Sequence, residues 1–338
     1  MALTILKRVG TYALVLFGLS VLIFIIVRVM PGDTARMALG ARTPEETVQA
    51  LRVEMHLDKP LPTQYYYWIT SMLKGDFGTS VVSKRPVLDD IKSYLPATIE
   101  LAVLTASLLI VGGLLLGVVS TKYSGKWPDA IIRILSYFGV VVPAFLWAVL
   151  AMLTFAYLWP IFPAAGRISP GLMAPPYGSG MYILDYLLAG NLLGAADAFR
   201  HLILPAVVLC LGGVSQAARI TRSSMIDNME KPYASALRAY GIPENKILFK
   251  YLLKPSLNST VSVMAMDIAG IFGGAYIIEN VFNYPGLGRY TMQAMLNKDV
   301  FAVSAVILVQ GTIIAVFNLA TDILISFLDP RIRYAKTA

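Results

Sequence analysis

Charge is scarce in this chain of 338 residues: 14% are Asp, Glu, Lys or Arg, while 57% are hydrophobic. Soluble domains carry roughly 25% charged residues, so the composition excludes an ordinary water-soluble domain and indicates a membrane protein. Cysteine is nearly missing. Cys210 stands alone, which rules out an intrachain disulfide and leaves the redox compartment unread. The two histidines, His56 and His201, lie far apart and fit no zinc spacing. No lysine sits in a phosphate-cradling glycine loop, and Gly286 and Gly288 do not make one. The adjacent carboxylates Glu45-Glu46 and Asp89-Asp90 read as solvated surface, because neither pair lies in a discernible site. Catalytic chemistry is therefore not expected of this chain.

What is present is a series of long apolar runs. Lys7 and Arg8 precede an uncharged run from Val9 to Val27. A signal peptide starts in the same way, but Val29-Met30-Pro31-Gly32-Asp33 is no small-residue cleavage site, so an uncleaved span is predicted. Further spans are predicted at Leu101–Thr121, Leu202–Ala218, Pro255–Tyr276 and Val300–Thr321, each of bilayer length. Ile134 to Gly166 is uncharged over 33 residues, and Trp159, Pro160 and Pro163 mark its exit from the bilayer. These runs divide the chain into a first span (1–30), an extramembrane segment (31–95) and a five-span core (96–338). The 31–95 segment suggests two helices, one opened by Thr43-Pro44-Glu45-Glu46 and one over Gln64–Leu73.

Six spans place both termini on one side. Lys122, Lys126 and Arg133 fall in one loop, seven Lys or Arg fall in loop 219–254, and Arg331, Arg333 and Lys336 fall in the tail. The loops 160–200 and 283–299 on the other side hold two each. Positive loops stay inside, so both termini and loop 219–254 are predicted to be cytoplasmic. The net charge of +8 is then loop bias and not a nucleic-acid footprint.

Within loop 219–254, Lys231 to Pro243 reads as a short self-contained helix. Pro232 suits its first position and Gly241 its stop. Tyr233, Ala236, Leu237 and Tyr240 fall at i, i+3, i+4 and i+7 and form one apolar stripe, accompanied by Arg238 and Ala239. Two helical turns are not stable alone in water. The stripe either docks on a soluble partner or lies on the chain's own spans or on lipid, where Lys246, Lys250 and Lys254 would snorkel. Asp267 is the one charge near the middle of a span; it either lines a path or bonds a neighbouring helix. Glu279 is nearer the outer end and reads as a loop anchor, with pathway lining as the second reading. Gly113 to Gly117 and Gly270 to Gly274 read as close helix packing.

Several motifs together resemble one family. Arg219-Ile220-Thr221-Arg222-Ser223-Ser224-Met225, followed by Tyr233, Arg238, Ala239 and Gly241, resembles the EAA region of ABC importer permeases. Glu279 to Arg289, Leu57-Asp58-Lys59-Pro60, Lys74 to Ser80, Leu95 to Leu101 and Asp329-Pro330-Arg331-Ile332-Arg333 extend the match over the whole chain. The triplet itself reads Ser235-Ala236-Leu237, and Ser259 stands where the family usually has a proline. The resemblance is to the dipeptide, oligopeptide and nickel branch. It implies an all-α integral membrane permease with six transmembrane helices of the type I importer kind and an extracytoplasmic helical insertion between helices 1 and 2. Tyr233, Ala236, Leu237, Arg238, Ala239, Tyr240 and Gly241 would then dock a cytoplasmic ATPase, with Asp267 and Glu279 as pathway candidates. The implied partners are a homologous second permease, two ATPase subunits carrying ATP and magnesium, an external solute-binding protein and the lipid bilayer, with no cofactor in this chain. The expected location is the inner (cytoplasmic) cell membrane and the expected cargo is peptide. Oligosaccharide or nickel cargo, or an ion-coupled secondary transporter using Asp267, are the alternatives.

Overall fold

The computed structural model describes residues 2–29, 34–39, 43–176 and 178–328. Two motif pieces, Pro31-Gly32-Asp33 and Asp329 to Arg333, lie outside these residues. Every named element is helical: α1 (Ala2–Val29), α2 (Thr34–Leu39), α3 (Glu45–Glu54), α4 (Leu61–Leu73), α5 (Val87–Lys122), α6 (Trp127–Val141), α7 (Ala144–Met152), α8 (Tyr182–Leu188), α9 (Leu192–Met229), α10 (Pro232–Ala239), α11 (Glu244–Lys246), α12 (Leu253–Val281), α13 (Leu287–Leu296) and α14 (Val300–Leu328). Two π segments, Leu153–Leu158 and Ile247–Leu252, continue α7 and join α11 to α12.

Among the described residues, five helical stretches are long and apolar enough to cross a bilayer: Leu6–Arg28, Val87–Lys122, Leu192–Met229, Glu244–Val281 and Val300–Ile323. The sequence predicts one further span over Ile134–Gly166, and the structure has a broken helix pair there, Trp127–Val141 with Ala144–Leu158, which makes a sixth crossing if the pair is one span. This stretch is two helices bent by 108°. The cause is local. A residue before proline is pushed out of the helical region, and Val142 is extended, with φ −78° and ψ 125°, ahead of Pro143. The exit agrees with expectation, since helix ends at Leu158 just before Trp159 and Pro160.

The chain forms two compact units. The first comprises residues 1–97 and 285–319. Its core joins Val87 and Ile91 to Leu287, Tyr290, Ala294, Ala302 and Val306. Helix α13 within it, from Leu287, replaces what the sequence reads as an outer loop. The Lys74 to Ser80 motif has a packing reason. Asp299 Oδ2 accepts from Ser80 Oγ at 2.6 Å and from the Val81 amide at 2.7 Å, closing the loop onto the start of α14. The aromatic face of α4 lies on α1, where Tyr65 meets Phe24 edge-on at 5.4 Å and bonds Ser20 at 2.7 Å.

The second unit comprises residues 98–284 and 320–338. Helices α9 and α12 form its spine, with α5, α6 and α7 packed around them. Gly113 and Gly117 permit the close approach of α5. A Cβ added at Gly113 would lie 2.6 Å from Ala217 Cβ, and one at Gly117 would lie 2.5 Å from Thr221 Cβ. The second glycine run differs from its expected packing role: Gly270 and Gly273 have nothing within 4 Å of such a Cβ, and only Gly274 presses on a neighbour, Leu209.

Candidate functional site

Three sites of interest lie in the second unit. The first is built on α10. Its eight residues run from Pro232 at the first helical position to Ala239. Gly241 closes it with φ +72°, a left-handed conformation that glycine adopts without steric cost. The Gly241 amide donates to the Arg238 carbonyl at 2.9 Å and the Ile242 amide to the Leu237 carbonyl at 3.2 Å. This is a Schellman cap. The apolar contact that accompanies such caps is also present, since Leu237 and Ile242 pack on the same core. That core consists of Val118, Met225, Ala234, Ile247, Leu248 and Leu252. Fully burying side chains of this size contributes roughly 1.5–3 kcal/mol each, enough to hold a helix that is too short to stand alone.

The seven residues singled out on this helix therefore divide. Leu237 does not share the outer stripe; with Ala234 it faces inward, because the chain folds back at Gly241 and brings Ile247 to Leu252 beneath it. Tyr233, Ala236, Arg238, Ala239 and Tyr240 remain exposed, Tyr240 to 84%. Arg238 forms a two-pronged pair with Glu244, at 2.9 and 3.2 Å, bridging the turn. Pro255 has no N–H to offer the carbonyl four residues back. That carbonyl, of Tyr251, instead receives a long 3.5 Å bond from the Tyr233 hydroxyl, so Tyr233 also ties α10 to the start of α12.

The base of this region is fixed by a buried carboxylate that the sequence does not reveal. Asp129 Oδ1 accepts from Arg222 Nε at 2.6 Å and Ser120 Oγ at 2.5 Å; its Oδ2 accepts from Arg222 Nη2 at 2.8 Å and the Gly125 amide at 3.1 Å. Such a bidentate fork holds an arginine in both position and plane. Loop 120–129 and the end of α9 are thereby joined just before α10. The only hint in sequence is an Asp in the first turn of a helix that opens at Trp127-Pro128. Asn228 continues the link, donating to Ser256 Oγ at 3.0 Å and accepting from Lys231 Nζ at 2.7 Å.

The second site is the cavity beside Asp267, which lies midway along α12. Its volume is about 440 Å³, and its walls come from α5, α6, α7, α9 and α12. Trp147 and Gln216 line it with Asp267. So do Val142 and Pro143, which places the broken helix at the wall. Sequence reasoning misses Trp147 and Gln216; the one available signal is Pro143 in the middle of an uncharged run.

The third site is a knot of charge. Glu279 is fully buried, its Oε1 accepting from Thr98 Oγ1 at 2.6 Å, and it is not on the wall of the Asp267 cavity. Nearby in sequence, Tyr284 donates to Glu100 Oε2 at 3.2 Å. Burial pushes the Tyr284 hydroxyl well above its usual range, so it stays a neutral donor. Glu100 also takes Arg167 Nη2 at 2.7 Å and the Ile183 amide at 2.7 Å. Arg167 lies 3.7 Å from the Tyr182 ring centroid and donates to the Gly180 carbonyl at 3.0 Å. Asp185 holds the same loop. Burial pulls its carboxyl upward, yet donors from Ser179 and Gly180 outweigh this and leave it below the usual carboxylate range. The Leu95 to Leu101 and Glu279 to Arg289 motifs thus supply partners for a buried polar network.

The chain also resembles known proteins along its length. Residues 113–334 match the family model of the binding-protein-dependent transport system inner membrane component, and residues 1–102 match the N-terminal model of the same system. The chain is 34% identical to the probable D,D-dipeptide transport system permease protein DdpB of Escherichia coli K12, over 96% of each chain. It is 32% identical to the dipeptide transport system permease protein DppB of Alkalihalophilus pseudofirmus, over 95% of this chain and 96% of that one. It is 30% identical to the glutathione transport system permease protein GsiC of Salmonella choleraesuis, over 98% of each.

Proposed function

This chain belongs to the family of binding-protein-dependent transport system inner membrane components, and from that premise we propose that it forms half of the translocation pathway of an ATP-driven peptide importer. Membership makes it a multi-pass permease of the inner membrane. Three relatives named for a D,D-dipeptide, a dipeptide and glutathione share short peptides as cargo, and this favours peptide here. The other half of the pathway is a homologous permease. Two cytoplasmic ATPase subunits hydrolyse ATP with magnesium, and an external solute-binding protein delivers the cargo to loops 31–95 and 160–200. The chain itself conducts and does not catalyse. Both termini and loop 219–254 face the cytoplasm.

The observation that carries this reading is the open face of α10. Ala236 and Ala239 permit close approach, Tyr233 and Tyr240 offer area, and Arg238 offers charge, on a helix seated firmly on its own chain by Leu237 and Gly241. A short helix fixed on one side and bare on the other suits a groove on an ATPase. Motion of that ATPase passes to α9 and α12 through the core beneath. Asp267 lines the pathway and Glu279 anchors its outer end.

The test is Ala236→Asp. The variant subunit inserts and reaches the membrane at wild-type level, because Ala236 touches none of the supporting core. ATP-driven dipeptide uptake falls at least tenfold and the ATPase subunits no longer co-purify. Normal uptake by a well-expressed variant would rule out docking at this face.

A further inference from the structure

Two polar atoms in the α12 cavity are unmet. Asp267 Oδ2 and Trp147 Nε1 are both buried and without a hydrogen-bond partner, and both side chains line the same space. An unsatisfied buried polar group carries its full desolvation penalty, and carboxylates inside a membrane face cavities or partners. The two groups are complementary in sense: one accepts and one donates. Among the described residues no Lys, Arg or His lines the cavity, so none of them neutralises the carboxylate from its wall. Among the described residues, Gln216 is the only other polar side chain on the wall. The remaining surface is apolar or backbone. Glycines at 139, 212, 213 and 270 also line it, and the break at Val142–Pro143 brings the last turn of α6 and the first of α7 to the wall, where helix ends leave carbonyl and N–H groups unpaired.

We propose that this cavity is a transit site for the amino-terminal end of a short peptide, with the ammonium on Asp267 and the first peptide carbonyl on Trp147 Nε1. The inference rests on the permease reading above and names the chemistry of its pathway. An ammonium followed by a carbonyl is common to every linear peptide, so the site recognises peptides without reading their side chains. Glycine backbone and apolar wall leave room for those side chains and hold none of them tightly, as a pathway requires. An acetylated amino terminus presents no cation and gains nothing from Asp267.

Gly270 provides the probe, because a Cβ there meets nothing within 4 Å and Gly270 lines the cavity. Cys210 is buried, and the parent chain measures its background. The assembled importer carrying Gly270→Cys is treated with a cationic and an anionic methanethiosulfonate reagent, without ATP. The cationic reagent should react about tenfold faster or more, a modest demand on the field of one unscreened charge, and Asp267→Asn should remove that preference. Alanyl-alanine should slow the reaction several-fold, while N-acetyl-alanyl-alanine should not. Trp147→Phe should weaken protection by alanyl-alanine and leave the reagent preference intact. Equal rates for both reagents, equal protection by both peptides, an unreactive Gly270→Cys, or failure of Asp267→Asn to assemble would each overturn the proposal; the last would give the carboxylate to the second permease subunit. Labelling needs neither ATP nor a working docking helix, so its failure is separable from failure of the importer reading.

Discussion

Residues 160–200 and residues 219–254 each hold a charged segment against the same pair of long helices, and they do it in opposite ways. In the first, Arg167 is buried and every prong of its partner Glu100 is occupied by Arg167, Ile183 and Tyr284. In the second, the Arg238–Glu244 pair lies at the surface, with side chains 39% and 52% exposed, and the α10 residues that face inward, Ala234 and Leu237, are apolar. One segment buries its ion pair inside the chain, with Arg167 Nε left unbonded. The other is seated on a core and leaves its upper side free. The charged pair of loop 160–200 is thus covered by the chain, whereas α10 in loop 219–254 keeps one face exposed. Helix α12 repeats the contrast within one element: Glu279 is bonded and buried, while Asp267 keeps an oxygen free.

The contrast can be broken most forcefully at Glu100. Glu100→Gln leaves Arg167 buried without its counter-charge, and such a loss costs about 3–5 kcal/mol. A melt of the detergent-solubilised importer should show a large drop in the transition temperature, together with reduced membrane levels. An unchanged melt would mean that the knot is not structural. Gly241→Pro is the next largest. Proline holds φ near −65° and cannot take the +72° the cap requires. Uptake should fall more than tenfold, with the spans still inserted, because the damage is confined to the end of α10. The smallest effect belongs to Arg238→Ala. An exposed pair contributes about 0–1 kcal/mol, so the melt should be unmoved. Any loss of uptake then reports contact with the ATPase, and a loss of stability would show that the surface pair does more than its exposure suggests.

Much of the α10 region was legible from residue order. Pro232 at the start and Gly241 at the stop are local signals, and the structure places both as expected. The inward turn of Leu237 was not legible, because periodicity identifies an apolar stripe without saying which part of it the rest of the chain will cover. Asp129 was missed for a similar reason. Its partner Arg222 is 93 positions away, and in sequence that arginine is only one more positive charge in a basic loop. Gly270 and Gly113 look alike in sequence, yet one faces open space and the other a helix.

Hydropathy, charge placement and motif order determined the class of the protein and the approximate position of its membrane crossings. Each depends on a window of neighbouring residues, and transfer into a bilayer is such a window property. The structure decided which carboxylate is satisfied, which glycine is packed and how sharply the third crossing bends. Thr98 reaches Glu279 across 181 positions, while among the described residues no side chain bonds Asp267 Oδ2. A hydrogen bond depends on distance and direction between atoms, and only the folded arrangement of α5, α9 and α12 supplies them.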